Sequence, residues 1–190
     1  MDIGKLFNGI AVIIDDDVNT AGTQISVIKG IIENKNIPVV VYDNIPQQDI
    51  IPALLNASFV ILDWDYTNNA LSLPDEERVI VADTLAETQE TELMEFIREL
   101  IETTFVPVFI FTFKNAESIE DKLRDADLWH DTKPNMIFIK QKNEIKTEDE
   151  LFTAIDDWLR VMPSAYVLKE WERIFFGIKN SMFLELYNYS

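Results

Sequence analysis

The sequence predicts an α/β fold: a doubly wound, five-stranded parallel sheet with helices on both faces, plus an extra C-terminal helix. Three observations lead there. Short runs of uniformly apolar residues read as strands buried on both faces, as in a parallel sheet. Between them lie stretches whose apolar residues recur three and four apart, the helical spacing. Four of the runs end in polar residues, at Asp15, Asp63, Thr112 and Lys140. In an open α/β sheet that end of the strands borders the binding crevice.

Taken in order, Met1–Gly9 is a lead-in with Leu6 and Phe7 able to pack, and strand one is Ile10–Ile14. Asp15, Asp16 and Asp17 form the turn after it. Helix one is Ala21–Asn34, with Ile25, Ile28, Ile31 and Ile32 on one face. Strand two is Pro38–Tyr42, and a short helix two covers Gln47–Leu55. Strand three is Phe59–Leu62, running straight into Asp63. Tyr66–Glu77 reads as a loop and Val79-Ile80-Val81 as a brief apolar patch. Helix three is expected over Leu85–Thr103, striped by Leu93, Phe96, Ile97, Leu100 and Ile101. Strand four is Val106–Phe111, with Pro107 tolerated near its start. Helix four is Ser118–Leu128, with Ser118 as N-cap. Strand five is Met136–Ile139. Helix five is Glu148–Val161, capped by Thr147. This alternation implies right-handed crossovers and a sheet covered on both faces.

Pro163 marks a boundary, dividing a 1–162 domain from a 163–190 helical extension. In Ala165–Tyr189, Leu168, Trp171, Phe175, Ile178 and Met182 form a heptad-like seam, which Phe176, Phe183 and Leu184 widen. Such a seam suits packing on the body, or a dimer or linker helix. Apolar residues close to Ser190 are what a chain that continues would show.

Composition narrows the function classes. The 190 residues are 47% hydrophobic, a globular proportion. No apolar run approaches the roughly 18 residues that span a bilayer, and Met1–Asn8 lacks a signal peptide's basic and apolar segments. With no cysteine there is neither disulfide framework nor thiolate metal site, and a cytoplasmic location is the expectation. The formal charge of −18 argues against direct binding of nucleic acid or an anionic membrane. No Gly-rich nucleotide loop is present, and His130 reads as a surface residue.

Three acids, a hydroxyl and an ammonium at strand ends are the parts of a Mg²⁺-dependent phosphoryl site. Each also has a plainer reading. Asp15 could cap helix one, and Asp16 and Asp17 could be a solvated turn. Asp63 could be a turn residue, Thr112 a strand former and Lys140 a surface cation. Their ordered recurrence is what favours the joint reading.

In this order the residues resemble the receiver domain of bacterial response regulators, over Ile10–Val161. In that family an acidic pair ends strand one, the phosphoacceptor Asp ends strand three, a Thr or Ser ends strand four and a Lys ends strand five. Asp15 and Asp16, Asp63, Thr112 and Lys140 match these places, and Asp63-Trp64-Asp65 is similar to the family's acid-aromatic-polar acceptor sequence. The resemblance implies a flavodoxin-like fold and phosphoryl transfer from a histidine kinase or phosphotransfer protein onto Asp63. It implies Mg²⁺ held by Asp15, Asp16, Asp63 and the backbone carbonyl of Asp65. Lys140 and Thr112 would contact the phosphoryl oxygens. The change would then pass to a downstream effector through the inserted segment, the strand-four/helix-four/strand-five face or the last helix, whose seam is also where a homodimer would form. The chain departs from the family in a long Tyr66–Leu85 segment and in Gln141, where a Pro usually follows the Lys. Phe138 is the nearest residue to the family's aromatic switch position.

Two other readings compete. Asp63-Trp64-Asp65-Tyr66-Thr67 is also similar to the nucleophile motif of haloacid dehalogenase-like phosphatases, which would use the side chains of Asp63 and Asp65. That motif normally sits on a first strand, and two strands precede it here. The other reading is a receiver-like interaction module that is never phosphorylated.

Overall fold

The structure, a computed structural model, describes residues 6–7, 9–64, 75–131 and 135–189, with only the backbone of 75–87. Five strands form one parallel sheet in the order β2-β1-β3-β4-β5. They are β1 (Ile10–Ile14), β2 (Val39–Tyr42), β3 (Ala57–Asp63), β4 (Val108–Thr112) and β5 (Ile137–Gln141). The helices are α1 (Gln24–Asn34), α2 (Asp75–Thr103), α3 (Ala116–Asp125), α4 (Glu148–Val161) and α5 (Pro163–Tyr189), and a 3-10 helix spans Gln48–Asn56. This is the expected flavodoxin-like α/β architecture with its added C-terminal helix. Among the described residues no helix is long and apolar enough to cross a membrane.

Burial follows strand position. Every residue of β3 and β4 is buried, whereas the edge strands β2 and β5 are partly open. One core layer packs α1 and α4 on the sheet around Phe7, Phe59, Phe109 and Trp158. The other packs the 3-10 helix, α2 and α3 around Val60, Leu62, Phe96 and Leu100. Phe109 is the hub of the first layer, with ring centroids of Phe7, Phe59, Phe111, Phe138 and Trp158 between 5.4 and 6.4 Å away.

Most elements stand where expected, with informative shifts. Thr147 caps α4 in a reciprocal capping box with Glu150, as S/T-x-x-E patterns do. Asn115, not Ser118, caps α3, because its carboxamide oxygen accepts from the Glu117 amide at 2.8 Å one turn earlier. Helix α2 begins at Asp75 rather than Leu85 and absorbs Val79-Ile80-Val81, so part of the expected loop is helical. The remainder of that loop, 66–74, lies outside the described residues.

The seam of α5 does not lie on the body. Of this helix only Ala165 and Lys169 are buried, and every residue from Trp171 to Tyr189 is exposed.

Candidate functional site

The tips of β1, β3, β4 and β5 meet at one end of the sheet. Asp15 is the first residue past β1, and its amide donates to the Tyr42 carbonyl at 3.0 Å, a sheet-like bond that holds it in line. Its Oδ1 accepts the Asp17 amide at 2.9 Å, closing the turn. Asp63 ends β3 and is buried, and Trp64 beside it is also buried. Thr112 ends β4 without exposure, and its hydroxyl oxygen accepts the Lys114 amide at 2.9 Å, tying the β4–α3 loop to the strand.

The carboxylates of Asp15, Asp16 and Asp63 converge, with one ligand oxygen from each within 4.8 Å of the others. Asp15 and Asp63 are buried and Asp16 is partly open. Three carboxylates at such spacing form an oxygen-only donor set for a hard divalent cation.

The ammonium in this site comes from Lys142, not from Lys140. Lys142 Nζ lies 2.8 Å from Asp15 Oδ2 and 2.7 Å from Asp63 Oδ2, with all three side chains nearly devoid of solvent. Lys140 stays on the strand, 34% exposed at its side chain, and pairs with Glu144. The physical reason is where β5 ends. The strand runs on through Lys140 and Gln141, with Lys140 in register with Phe111 and Gln141 with Thr112. Lys142 then opens a one-turn 3-10 helix, Lys142–Glu144. The expected strand stopped at the last apolar residue, Ile139. The signal available in the sequence was the second lysine two residues on.

Burial on its own lowers the pKa of Lys142. The charge of Asp63 and the hydrogen bonds and charge of Asp15 and Asp63 outweigh burial and hold it above its ordinary value. The ammonium therefore stays protonated at neutral pH and is a permanent counter-ion for both acids. It also lies 5.4 Å from the ring centroid of the exposed Phe113. The Gln24 carboxamide donates to the Ile145 carbonyl, joining α1 to the segment just after Lys142.

Of the residues singled out from the sequence, Asp15, Asp16, Asp63 and Thr112 stand at this end of the sheet. Lys140 does not enter the acid cluster, and Asp65 lies outside the described residues. His130 sits in the loop after α3, where its amide donates to the Asn135 side chain at 2.9 Å.

No protein-family model matches the sequence, and no curated protein matches it. Among solved structures similar to the chain is one described as amino acids 181-211 of the yeast Spc42 trimeric coiled coil fused to another structure. It is 14% identical, with a TM-score of 0.49 over 94% of this chain and 97% of that one.

Proposed function

We propose that the chain is a receiver-type signalling domain that accepts a phosphoryl group on Asp63 from a phosphohistidine. The observation that carries this is the set at the strand tips: three convergent carboxylates, two of them buried, with Lys142 bridging those two. A phosphorylation site of this kind needs a carboxylate nucleophile, cation ligands beside it and a cation to meet the incoming phosphoryl oxygens.

In the transfer, a carboxylate oxygen of Asp63 attacks phosphorus and the phosphorus–nitrogen bond breaks. The bonding electron pair leaves with the donor's imidazole. Lys142 exchanges its contact with the Asp63 carboxylate for one with a phosphoryl oxygen, as a point charge. Thr112 turns its hydroxyl proton toward another phosphoryl oxygen. Because that hydroxyl oxygen also accepts the Lys114 amide, its movement would be felt by the β4–α3 loop. Asp15, Asp16 and Asp63 fit Mg²⁺, being carboxylates within reach of one ion. Mg²⁺ would supply neutralisation of the charge between nucleophile and phosphoryl group. The partners are then a histidine kinase or phosphotransfer protein and a downstream effector, and a cytoplasmic location fits such a donor.

One observation favours a second reading, the unphosphorylated interaction module. Lys142 already stands between Asp15 and Asp63 and offsets one of their two charges from within, so the acids share a structural counter-ion without any metal.

Intact mass after incubation with acetyl phosphate and Mg²⁺ separates the two. A single Mg²⁺-dependent phosphoryl adduct, lost in Asp63→Asn, is the expected result, and Asp16→Asn should weaken Mg²⁺ binding. An adduct of equal yield in Asp63→Asn would overturn the site assignment. Absence of adduct, of turnover and of Mg²⁺ binding would favour the interaction module. Rapid phosphomonoester turnover requiring Asp65 would move the chain to the phosphatase reading.

A further inference from the structure

We infer that the projecting part of α5 is a homodimerisation helix whose occupant is a second copy of this chain. The inference is independent of the phosphoacceptor reading. Four features of the helix carry it.

The first is length without support. From Trp171 to Tyr189 the helix extends about 28 Å at 1.5 Å per residue, and all of it is exposed. An unsupported helix of that length is marginal in water, and protein helices draw most of their stability from packing an apolar face. Among the described residues its first turns, at Glu172, Arg173 and Phe176, border the body beside Leu6 and Leu55, while every residue beyond them to Tyr189 is exposed.

The second is area. Large apolar side chains dominate the segment, among them Trp171 and Phe175, 57% and 64% exposed, and Tyr189, 90% exposed. With aromatic side chains offering 150–250 Å² each, the apolar surface left in water is on the order of 1,400 Å², against about 800 Å² per partner in a standard interface. That surface runs round the whole helix, and the larger share of it, on the side of Trp171, Phe175, Ile178 and Met182, approaches what one partner contributes to a standard interface.

The third is charge. The formal charge of the chain is −18. In α5, Lys169, Arg173 and Lys179 balance Glu170, Glu172 and Glu185, so the excess lies wholly outside this helix. Two copies repel one another through their bodies and meet without penalty through α5. The same distribution disfavours a lipid surface, which selects helices rich in Lys and Arg on the polar face.

The fourth is shape. Leu168, Trp171, Phe175, Ile178 and Met182 lie three and four apart, the spacing of a two-helix seam. Beside it, Gly177 and Ser181 leave a shallow hollow walled by Ile174, Ile178 and Met182. A Cβ at Gly177 would meet nothing within 4 Å in the single chain, so the hollow is open to an incoming knob.

The test is sedimentation equilibrium of the full chain, alongside the double variant Phe175→Glu, Ile178→Glu. Both substitutions lie on the projecting segment, and unchanged urea unfolding of the body certifies the fold. The expected result is twice the 22.0 kDa chain mass for the parent. The variant should associate about 100-fold or more weakly, as expected when two apolar side chains at the centre of an interface become charged. A monomeric parent, a trimer or higher assembly, or a dimer undiminished in the variant would each overturn the inference. So would a monomer that floats with vesicles of anionic phospholipid.

Discussion

Lys142→Met is the substitution whose outcome follows most directly from the geometry. It keeps an unbranched side chain one atom shorter and removes the charge that stands 2.8 Å from Asp15 and 2.7 Å from Asp63. At an effective dielectric of 20, each contact carries about 6 kcal/mol of Coulomb attraction, much of it offset by the cost of burying three charges. What decides the net effect is that both acids remain, buried and without their counter-ion. Breaking a buried pair in this way costs about 3–5 kcal/mol. With a urea slope of about 2 kcal/mol/M, the unfolding midpoint should fall by about 1.5–2.5 M. The control is Lys140→Met, whose partner Glu144 and own side chain are both in solvent, and which should change stability by no more than about 0.5 kcal/mol. If the acids also hold Mg²⁺, adding it at about 100 times its Kd should return about 2.7 kcal/mol to the Lys142 variant, and less to the parent, where the ammonium competes. The pH dependence has a definite sign. Because the folded pKa of Lys142 is raised above 10.5, its contribution is whole below that value and is lost as pH rises through the folded pKa. The deficit of the variant should therefore be constant while both acids stay ionised and, on the alkaline side, shrink only above about pH 10.5. A loss below about 1 kcal/mol for Lys142→Met, or a larger loss for Lys140→Met, would refute the placement of the ammonium.

Lys169 is the opposite case: burial lowers its pKa, and the hydrogen bond and charge of Glu172 only partly restore it. Lys169→Met should thus be neutral or stabilising by about 1 kcal/mol at pH 7, read as an unchanged or raised Tm, and a loss above about 2 kcal/mol would contradict that balance. Phe109→Ala removes the ring that touches five others and should cost about 3–5 kcal/mol in urea unfolding; less than about 2 kcal/mol would mean the layer closes around the hole. Gly9→Ala would drive a Cβ into Ser58 Oγ and to 3.3 Å from the Asn56 carbonyl, costing about 1–3 kcal/mol. Ser58→Ala in the same chain should recover part of that loss, a coupling that a double-mutant cycle measures.

The sheet was legible because its central strands are buried on both faces and so carry long runs of apolar residues. Ala11–Ile14 and Val108–Phe111 admit no other reading of comparable economy, and the polar residues that follow them mark the tips. Legibility failed where polar residues continue a regular element. Lys140 and Gln141 belong to β5 through backbone pairing, which no hydrophobic pattern records, and that difference of two residues moved the expected ammonium from Lys142 to Lys140. At α3, Asn115 and Ser118 are both competent caps, and the choice between them rests on backbone geometry rather than residue type. The start of α2 was hidden because Val79-Ile80-Val81 is β-branched, yet it lies in a helix. The seam of α5 was plain, but a seam does not say what covers it.

The bridge between Asp15 and Lys142 joins residues 127 positions apart, and this distance has a consequence in time. A ribosome delivers Asp15 and Asp63 well before it delivers Lys142. At 5–20 residues per second the wait after Asp63 is roughly 4–16 s. During that interval the acids at the tips of β1 and β3 have no lysine of their own to meet, and closing them together in a dry environment is unfavourable. The nascent chain is therefore expected to hold this end of the sheet hydrated and ajar until β5 and the Lys142 that follows it emerge and the ammonium closes it. Assembly of the site coincides with completion of the sheet, so an incomplete chain does not present a finished one.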